Sequence, residues 1–360
     1  MLVNSFYSSV SHSCGVSIFN EHLHVALLPF GINLLETNLR SSTSFTPSLI
    51  SLVHYVPSGF ISSEASIALM QFLTSSKNAE TICFILHGLH KHGERRFQKD
   101  GICPDQEHHI RLMFQRAESI IVLSNAVAEA CRTWQLHFGA KVRIVRLDHP
   151  GLFTPMRDAE PDGSYAFVGG ISRPKKDHTS RTIGELIGLC EQSGIRIWQH
   201  WTNIPQPKPL TQSWRQTSGL LTDIQWSSLV SRAKTVLCPY QTRIQSVSGL
   251  ISEALSAKRF VLATSFELAL EMQRRAPALV RIEDDLHRWP DLILHLPSSN
   301  SYASAGIPKW DSFANCVARE LLTLAERRAP PPMKIEQTMK RPGAPIIAEL
   351  HDSGRETFLS

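Results

Sequence analysis

Short apolar runs rich in β-branched residues alternate along the chain with longer stretches in which apolar positions recur every three to four residues. The first pattern predicts strands and the second amphipathic helices, and their alternation predicts βαβ units around parallel sheets, an α/β fold class. In the first part of the chain the pattern predicts strands at 1–6, 51–55, 81–86, 119–123 and 142–145, joined by helices at 15–28, 64–73, 107–117 and 126–138. A second series starts at 165–168 and continues with strands at 195–198, 220–221, 235–239, 259–263 and 279–282. Between the two series, residues 149–163 are dense in proline, glycine and acidic residues, the composition of an interdomain linker, with the boundary near Phe153. A last helix over 310–326 places Phe313, Val317, Leu321 and Leu324 on one face and is expected to pack back towards the first domain. After it, Ala329-Pro-Pro-Pro-Met-Lys opens a stretch with little to bury, so 330–360 is expected to be disordered. The expected organisation is therefore a first domain over 1–152, a second over 153–328 and a tail over 329–360.

Length agrees with this division, since 360 residues exceed what one core supports when domains run to about 150 residues. Two domains imply a cleft. A composition of 42% hydrophobic and 19% charged residues is that of a globular chain and excludes disordered and fibrous classes. The net charge of +5 arises from 37 basic and 32 acidic residues spread among one another, which argues against nucleic acid as a partner and leaves a phosphorylated small molecule compatible. Seven scattered cysteines without a Cys-x-x-Cys pair suit reduced thiols, and the N-terminal residues lack the basic start and apolar stretch of a signal peptide, so a cytoplasmic location is expected. The longest apolar segments fall well short of the roughly 20 residues of a membrane-spanning helix. Any membrane contact is expected to be peripheral.

Four segments carry candidate chemistry. Ser11-His-Ser-Cys-Gly-Val-Ser follows the first strand and opens the first helix; Gly15 lets the backbone approach an anion at the helix N-terminus, although a lone glycine in a βα loop also serves as a plain turn. Phe84-Ile-Leu-His-Gly-Leu-His-Lys-His lies at a strand's carboxyl end, where open sheets place their sites. His87 is first after the apolar run and is a candidate basic or hydrogen-bonding group in the cleft, or a histidine satisfied by loop backbone. The histidines at 87, 90 and 92 lack the cysteine or carboxylate companions of a zinc set, so no metal is expected there. Phe167-Val-Gly-Gly-Ile-Ser-Arg-Pro-Lys-Lys joins a strand to a glycine turn, Gly169 and Gly170, and then to Arg173 and Lys175 just before a helix near Asp177. A diphosphate needs cations and free N–H donors in one place, and this segment supplies both; a solvated basic loop is the plainer alternative. In the fourth, the strand at 235–239 leads to Gln245, Ser248 and Gly249, then a short helix carrying Glu253. A carboxylate one to two turns into that helix suits acceptance from two neighbouring hydroxyls, as on a ribose; an exposed helix glutamate is the plainer alternative.

Together these segments resemble the GT-B glycosyltransferases, and among them the family 4 group of retaining enzymes that use nucleotide-sugar donors. The resemblance covers roughly residues 1 to 327. It is strongest in the second half, where 167–176 is similar to the family's strand-Gly-Arg-…-Lys-Gly segment and Gln245 to Glu253 is similar to its Glu-x7-Glu motif; 120–125 and 149–151 also match. The resemblance implies two Rossmann-like doubly wound domains facing each other across a cleft, with the donor held by the second. It implies that Lys175 grips the donor diphosphate, Glu253 binds its ribose, Gly15 lies beside the diphosphate and His87 faces the transferred sugar. Gly170 stands where the family has arginine, which hands that role to Arg173. Gln245 replaces the first glutamate, so it hydrogen-bonds sugar hydroxyls without the charge that helps a cationic transition state.

The implied activity is hexosyl transfer with retention to a hydroxyl on a glycan or lipid-linked acceptor, in glycan or polysaccharide biosynthesis. A nucleoside-diphosphate sugar is the co-substrate, and no obligatory metal is expected. The two replacements also suit a non-catalytic GT-B protein that binds a nucleotide sugar or serves as a partner subunit, and a nucleotide-sugar 2-epimerase would share the fold. Lys91, Arg95, Arg96, Lys99 and Arg111 form either a solvated face or one that touches anionic lipid at the inner face of the membrane.

Overall fold

The apolar runs become two parallel sheets of six strands each. In this computed structural model residues 1–8, 15–39, 49–56, 63–75, 81–89, 91–92, 105–156, 165–171, 177–201, 213–240, 248–296 and 306–328 are described. The expected tail, Arg173, Lys175, Gln245, Arg95, Arg96 and Lys99 all lie outside these residues. The first sheet holds β1 (Leu2–Tyr7), β2 (Asn33–Asn38), β3 (Ile50–Tyr55), β4 (Thr81–Leu86), β5 (Ala117–Val122) and β6 (Arg143–Arg146), in the order β2-β1-β3-β4-β5-β6. The second holds β7 (Ala166–Ile171), β8 (Ile197–Trp201), β9 (Trp214–Ser218), β10 (Thr235–Cys238), β11 (Phe260–Ala263) and β12 (Val280–Ile282), in the order β12-β11-β10-β7-β8-β9.

The central strands β3 and β4 are buried along their whole length, as expected of strands covered on both faces. Two edge strands differ from the sequence expectation. β2, Asn33-Leu-Leu-Glu-Thr-Asn, buries only Leu34 fully, so it offers no apolar run to read. The strand expected at 220–221 is absent: Gly219 turns the chain with φ 91°, Leu220 is 68% exposed, and the strand is β9, six residues earlier, polar and at the sheet edge.

Helices cover both sheets: α1 (Gly15–Leu27), α2 (Ser63–Ser75), α3 (Asp105–Arg116) and α4 (Asn125–Phe138) in the first half, then α5 (Asp177–Gln192), α6 (Asp223–Arg232), α7 (Gly249–Ser256), α8 (Glu267–Arg275), α9 (Trp289–Leu294) and α10 (Trp310–Arg328). Their ends follow capping chemistry. The Ser124 hydroxyl accepts from the Val127 N–H at the start of α4, and Thr222 and Gln225 close a reciprocal capping box on α6. The last helix behaves as its pattern predicts: Phe313, Val317, Leu321 and Leu324 of α10 are buried in the core of the first sheet. The first described strand and the last described helix thus belong to the same core.

Residues 149–153 lie on the path between the sheets, with Pro150, Gly151 and Leu152 buried. The Gly151 carbonyl accepts from the Trp310 indole at 2.9 Å, its N–H donates to the Pro308 carbonyl at 3.1 Å, and the Leu152 N–H donates to the Ser256 hydroxyl at 3.0 Å. A Cβ on residue 151 would lie 2.3 Å from Ser256 Cβ, so only glycine fits between this segment and the end of α7. A second tie comes from Glu271 of α8, which accepts from the Asn125 N–H at 3.0 Å, the Asn125 side-chain amide at 2.8 Å and Arg146 at 3.2 Å. Asp148 extends it by pairing with Arg146 and, at 2.8 Å, with Arg275. Overpacking at a fixed close approach costs about 1–3 kcal/mol, so Gly151→Ala is expected to lower the unfolding free energy by about that amount in urea titration. An unchanged midpoint would show that the segment is free to move.

Candidate functional site

In a doubly wound sheet, neighbouring crossovers leave in opposite directions at one point, and the crevice there, at the carboxyl ends of the strands, receives ligands. The strand orders put this point between β1 and β3 in the first sheet and between β7 and β10 in the second. On the first side β1 leads to α1, which opens at Gly15; among the described residues a Cβ there would meet nothing within 4 Å. At the ends of β3 and β4 lie His54 and His87, with His54 Nδ1 3.2 Å from His87 Nε2. The edge of the Phe19 ring packs against His87 at 4.8 Å between centroids, and Phe19 also lies 5.2 Å from His149. Burial pulls His87 well below the ordinary histidine value, with His54 and His149 adding to the fall, and burial alone takes His54 to about 3. Both rings are neutral at neutral pH.

On the second side, Gly169 and Gly170 fall where the register of β7 against β8 slips, three steps on one strand meeting two on the other, a bulge that re-aims the strand end. A Cβ on residue 169 would lie 2.7 Å from the Phe167 ring and 2.9 Å from Trp226. Glycine there lets Trp226 of α6 cross the end of β7. The Trp226 indole N–H then donates to Glu253 Oε2 at 2.9 Å. Ser248 precedes α7 as its N-cap residue without bonding the helix, its hydroxyl 3.4 Å from that of Tyr240, and Gly249 opens the helix. Glu253 sits one turn on. Burial raises its carboxyl to about 7, the Trp226 hydrogen bond opposing the rise and the Asp223 charge adding to it.

The two sides meet. His22 of α1 stacks on Phe153 with ring centroids 4.2 Å apart, and its Nε2 lies 2.8 Å from Asp223 at the start of α6. A Cβ on Gly249 would be 3.3 Å from His149 Cε1 and 3.8 Å from Glu253 Oε1, so the crossing segment, the α7 N-terminus and the glutamate share one corner. Among the described residues no three histidine, cysteine or acidic side chains gather as a metal set, and no helix is long and apolar enough to cross a membrane.

This architecture has solved counterparts. A sucrose-phosphate synthase from Thermosynechococcus elongatus superposes with a TM-score of 0.63 over 91% of this chain and 100% of its own, at 11% identity. HepE from Anabaena, solved in complex with UDP-glucose, gives 0.57 over 91% and 98% at 10% identity. The fold is GT-B. A Listeria monocytogenes protein assigned as a UDP-N-acetylglucosamine 2-epimerase shares it, with a TM-score of 0.54 over 89% and 94% at 14% identity, so the architecture alone does not select the reaction. No protein-family model matches the chain, and neither does any curated protein sequence.

Within the GT-B frame, the structure brings Gly169, Gly170, Ser248, Gly249 and Glu253 to the crevice of the second domain, and Gly15 and His87 to that of the first. Gln245, Arg173 and Lys175 precede α7 and α5 in segments outside the described residues. Sequence reasoning did not single out Trp226, Asp223, His22 or His54. The capping box at Thr222 marks where α6 starts and so where Asp223 and Trp226 sit, and His54 is the one basic residue in the apolar run of β3; neither signal names a partner.

The raised Glu253 carboxyl has a consequence for stability. An unfolded-chain glutamate titrates near about 4.3, so between there and about pH 7 the native state holds the extra proton, and stability falls as pH rises through that window. Glu253→Gln removes this slope. The variant is expected to melt above the wild type at about pH 8 and level with it at about pH 4. A difference that does not change with pH would contradict the placement of Glu253.

Proposed function

We propose that this chain is a retaining glycosyltransferase that moves a hexose from a nucleoside-diphosphate sugar to a hydroxyl acceptor on a glycan or a lipid-linked saccharide. The observation that carries the reading is the shared corner at the α7 N-terminus, where Glu253 is fixed by Trp226 beside Gly249 and His149. That the GT-B neighbour HepE was solved with UDP-glucose adds support for a nucleotide-sugar donor. In this reading Glu253 accepts from the donor ribose, the helix N-termini at Gly15 and Gly249 face the diphosphate, and Arg173 and Lys175 supply its counter-charge. Stabilisation of the leaving diphosphate by N–H donors and cations is electrostatic and requires no obligatory metal. His87 and Gln245 lie against the transferred sugar, the first as a neutral ring offering a hydrogen bond, the second through its amide. Polysaccharide biosynthesis, a cytoplasmic location and peripheral contact through Lys91 and its basic neighbours belong to the same proposal and rest on the sequence.

A second reading follows from Gln245 and Gly170: a GT-B protein that binds a nucleotide sugar without turning it over, as a partner subunit. A 2-epimerase would give a product of changed stereochemistry and need no acceptor. Two measurements together separate the three. Thermal shift against nucleoside diphosphates and their sugars is expected to find a stabilising donor, with Glu253→Ala weakening it about tenfold or more, the loss of a hydrogen bond to a charged group. Sugar release with a hydroxyl acceptor and retained configuration supports transfer. Binding without turnover across a broad panel supports the partner subunit, and no stabilisation by any nucleotide contradicts the donor site.

A further inference from the structure

His149 belongs to the crossing segment and touches both domains. Its Nδ1 lies 2.8 Å from the carbonyl oxygen of Pro150. A carbonyl only accepts, so the proton is on Nδ1 and Nε2 carries the lone pair. Burial lowers the ring to about 4 despite that carbonyl, and His22 lowers it further, which keeps it neutral at neutral pH. Among the described residues no hydrogen bond reaches Nε2. Phe19 flanks the ring on the first-domain side, while on the other side a Cβ at Gly249 would lie 3.6 Å from Nε2. A side chain at 249 would thus touch both this nitrogen and Glu253, and among the described residues glycine leaves that one position open.

We propose that His149 is a ligand-binding residue of the cleft, its Nε2 accepting a hydrogen bond from a hydroxyl of the bound nucleotide sugar. The inference rests on the nucleotide-sugar reading above and deepens it. The chemistry selects among the ligand's parts. Phosphate oxygens only accept, so an unprotonated Nε2 repels them, whereas a sugar or ribose hydroxyl has the proton this nitrogen lacks. With Glu253 Oε1 3.8 Å from the same position, the corner holds two acceptors, and a diol suits it. The tautomer that makes this possible is set by the chain itself, through the Pro150 carbonyl.

Two substitutions separate the two ring nitrogens. Asn at 149 keeps an amide N–H near the position of Nδ1 and loses Nε2; Gln places its amide oxygen near Nε2. Titration of UDP-glucose, GDP-mannose, ADP-glucose and dTDP-glucose in parallel is expected to show about tenfold weaker binding of the preferred sugar by His149→Asn and recovery to within about threefold by His149→Gln. Nitrogen-15 spectra of the wild-type ring are expected to show a protonated Nδ1 and an unprotonated Nε2, the latter shifting on ligand addition without gaining a proton. Equal binding by the wild type and His149→Asn, or an Nε2 that is protonated before or after ligand, overturns this inference and leaves the donor reading standing. Failure of the wild type to bind any of the four overturns both.

Discussion

The contact on which the arrangement depends is the one between Gly151 and Ser256. Two sheets that fold as separate layers have no intrinsic reason to present their ligand crevices to each other; a flexible linker would let them turn. Here the linker passes so close to the end of α7 that a single methyl group has no room, and it is held there by a hydrogen bond from the Trp310 indole. Trp310 begins α10, whose apolar face is buried against the first sheet. The first sheet, the linker and the helix that bears Glu253 are therefore coupled through van der Waals contact and three hydrogen bonds, and His149 comes to rest beside Gly249 as a result. The Glu271 carboxylate, with Asn125 and Arg146, adds a second tie between the two halves.

The electrostatics of the crevice follow from this packing. Histidines 54, 87 and 149 are all driven neutral, mainly by burial. Their value to a ligand is thus directional hydrogen bonding, and they bring no positive charge. A diphosphate in the cleft would have to draw its counter-charge from the helix N-termini at Gly15 and Gly249 and from the basic segment that contains Arg173 and Lys175. Glu253, raised towards neutrality in the free protein, gains from a hydroxyl donor what it lacks from water. In the proposed reading these polar groups recognise hydroxyls at the corner and an anion at the helix starts.

What the sequence made legible is what backbone and composition decide. Buried central strands such as β3 and β4 read as continuous apolar runs, the glycines of β7 mark a strand end approached by another element, and the α10 pattern names its buried face in advance. The edge strands β2 and β9 stayed faint because one side of each meets water and its residues are polar. Glu253 was visible through spacing and resemblance, but its fixed orientation was not, since that depends on an indole from α6, and no local pattern connects residue 226 to residue 253. The same holds for His54, His22 and Asp223. Each is an ordinary residue in its own element and gains its partner from another, His54 from the end of the neighbouring strand and His22 and Asp223 from each other.

Hydrogen–deuterium exchange with and without a saturating nucleotide sugar tests the central claim most directly, because it reports on both domains at once. Slowed exchange is expected together at 249–256, at 166–171 and at the start of α1, with α3 and α9 unchanged. Protection that spares the α7 N-terminus, or that is confined to one of the two sheets, would contradict a ligand held at the corner where the domains meet.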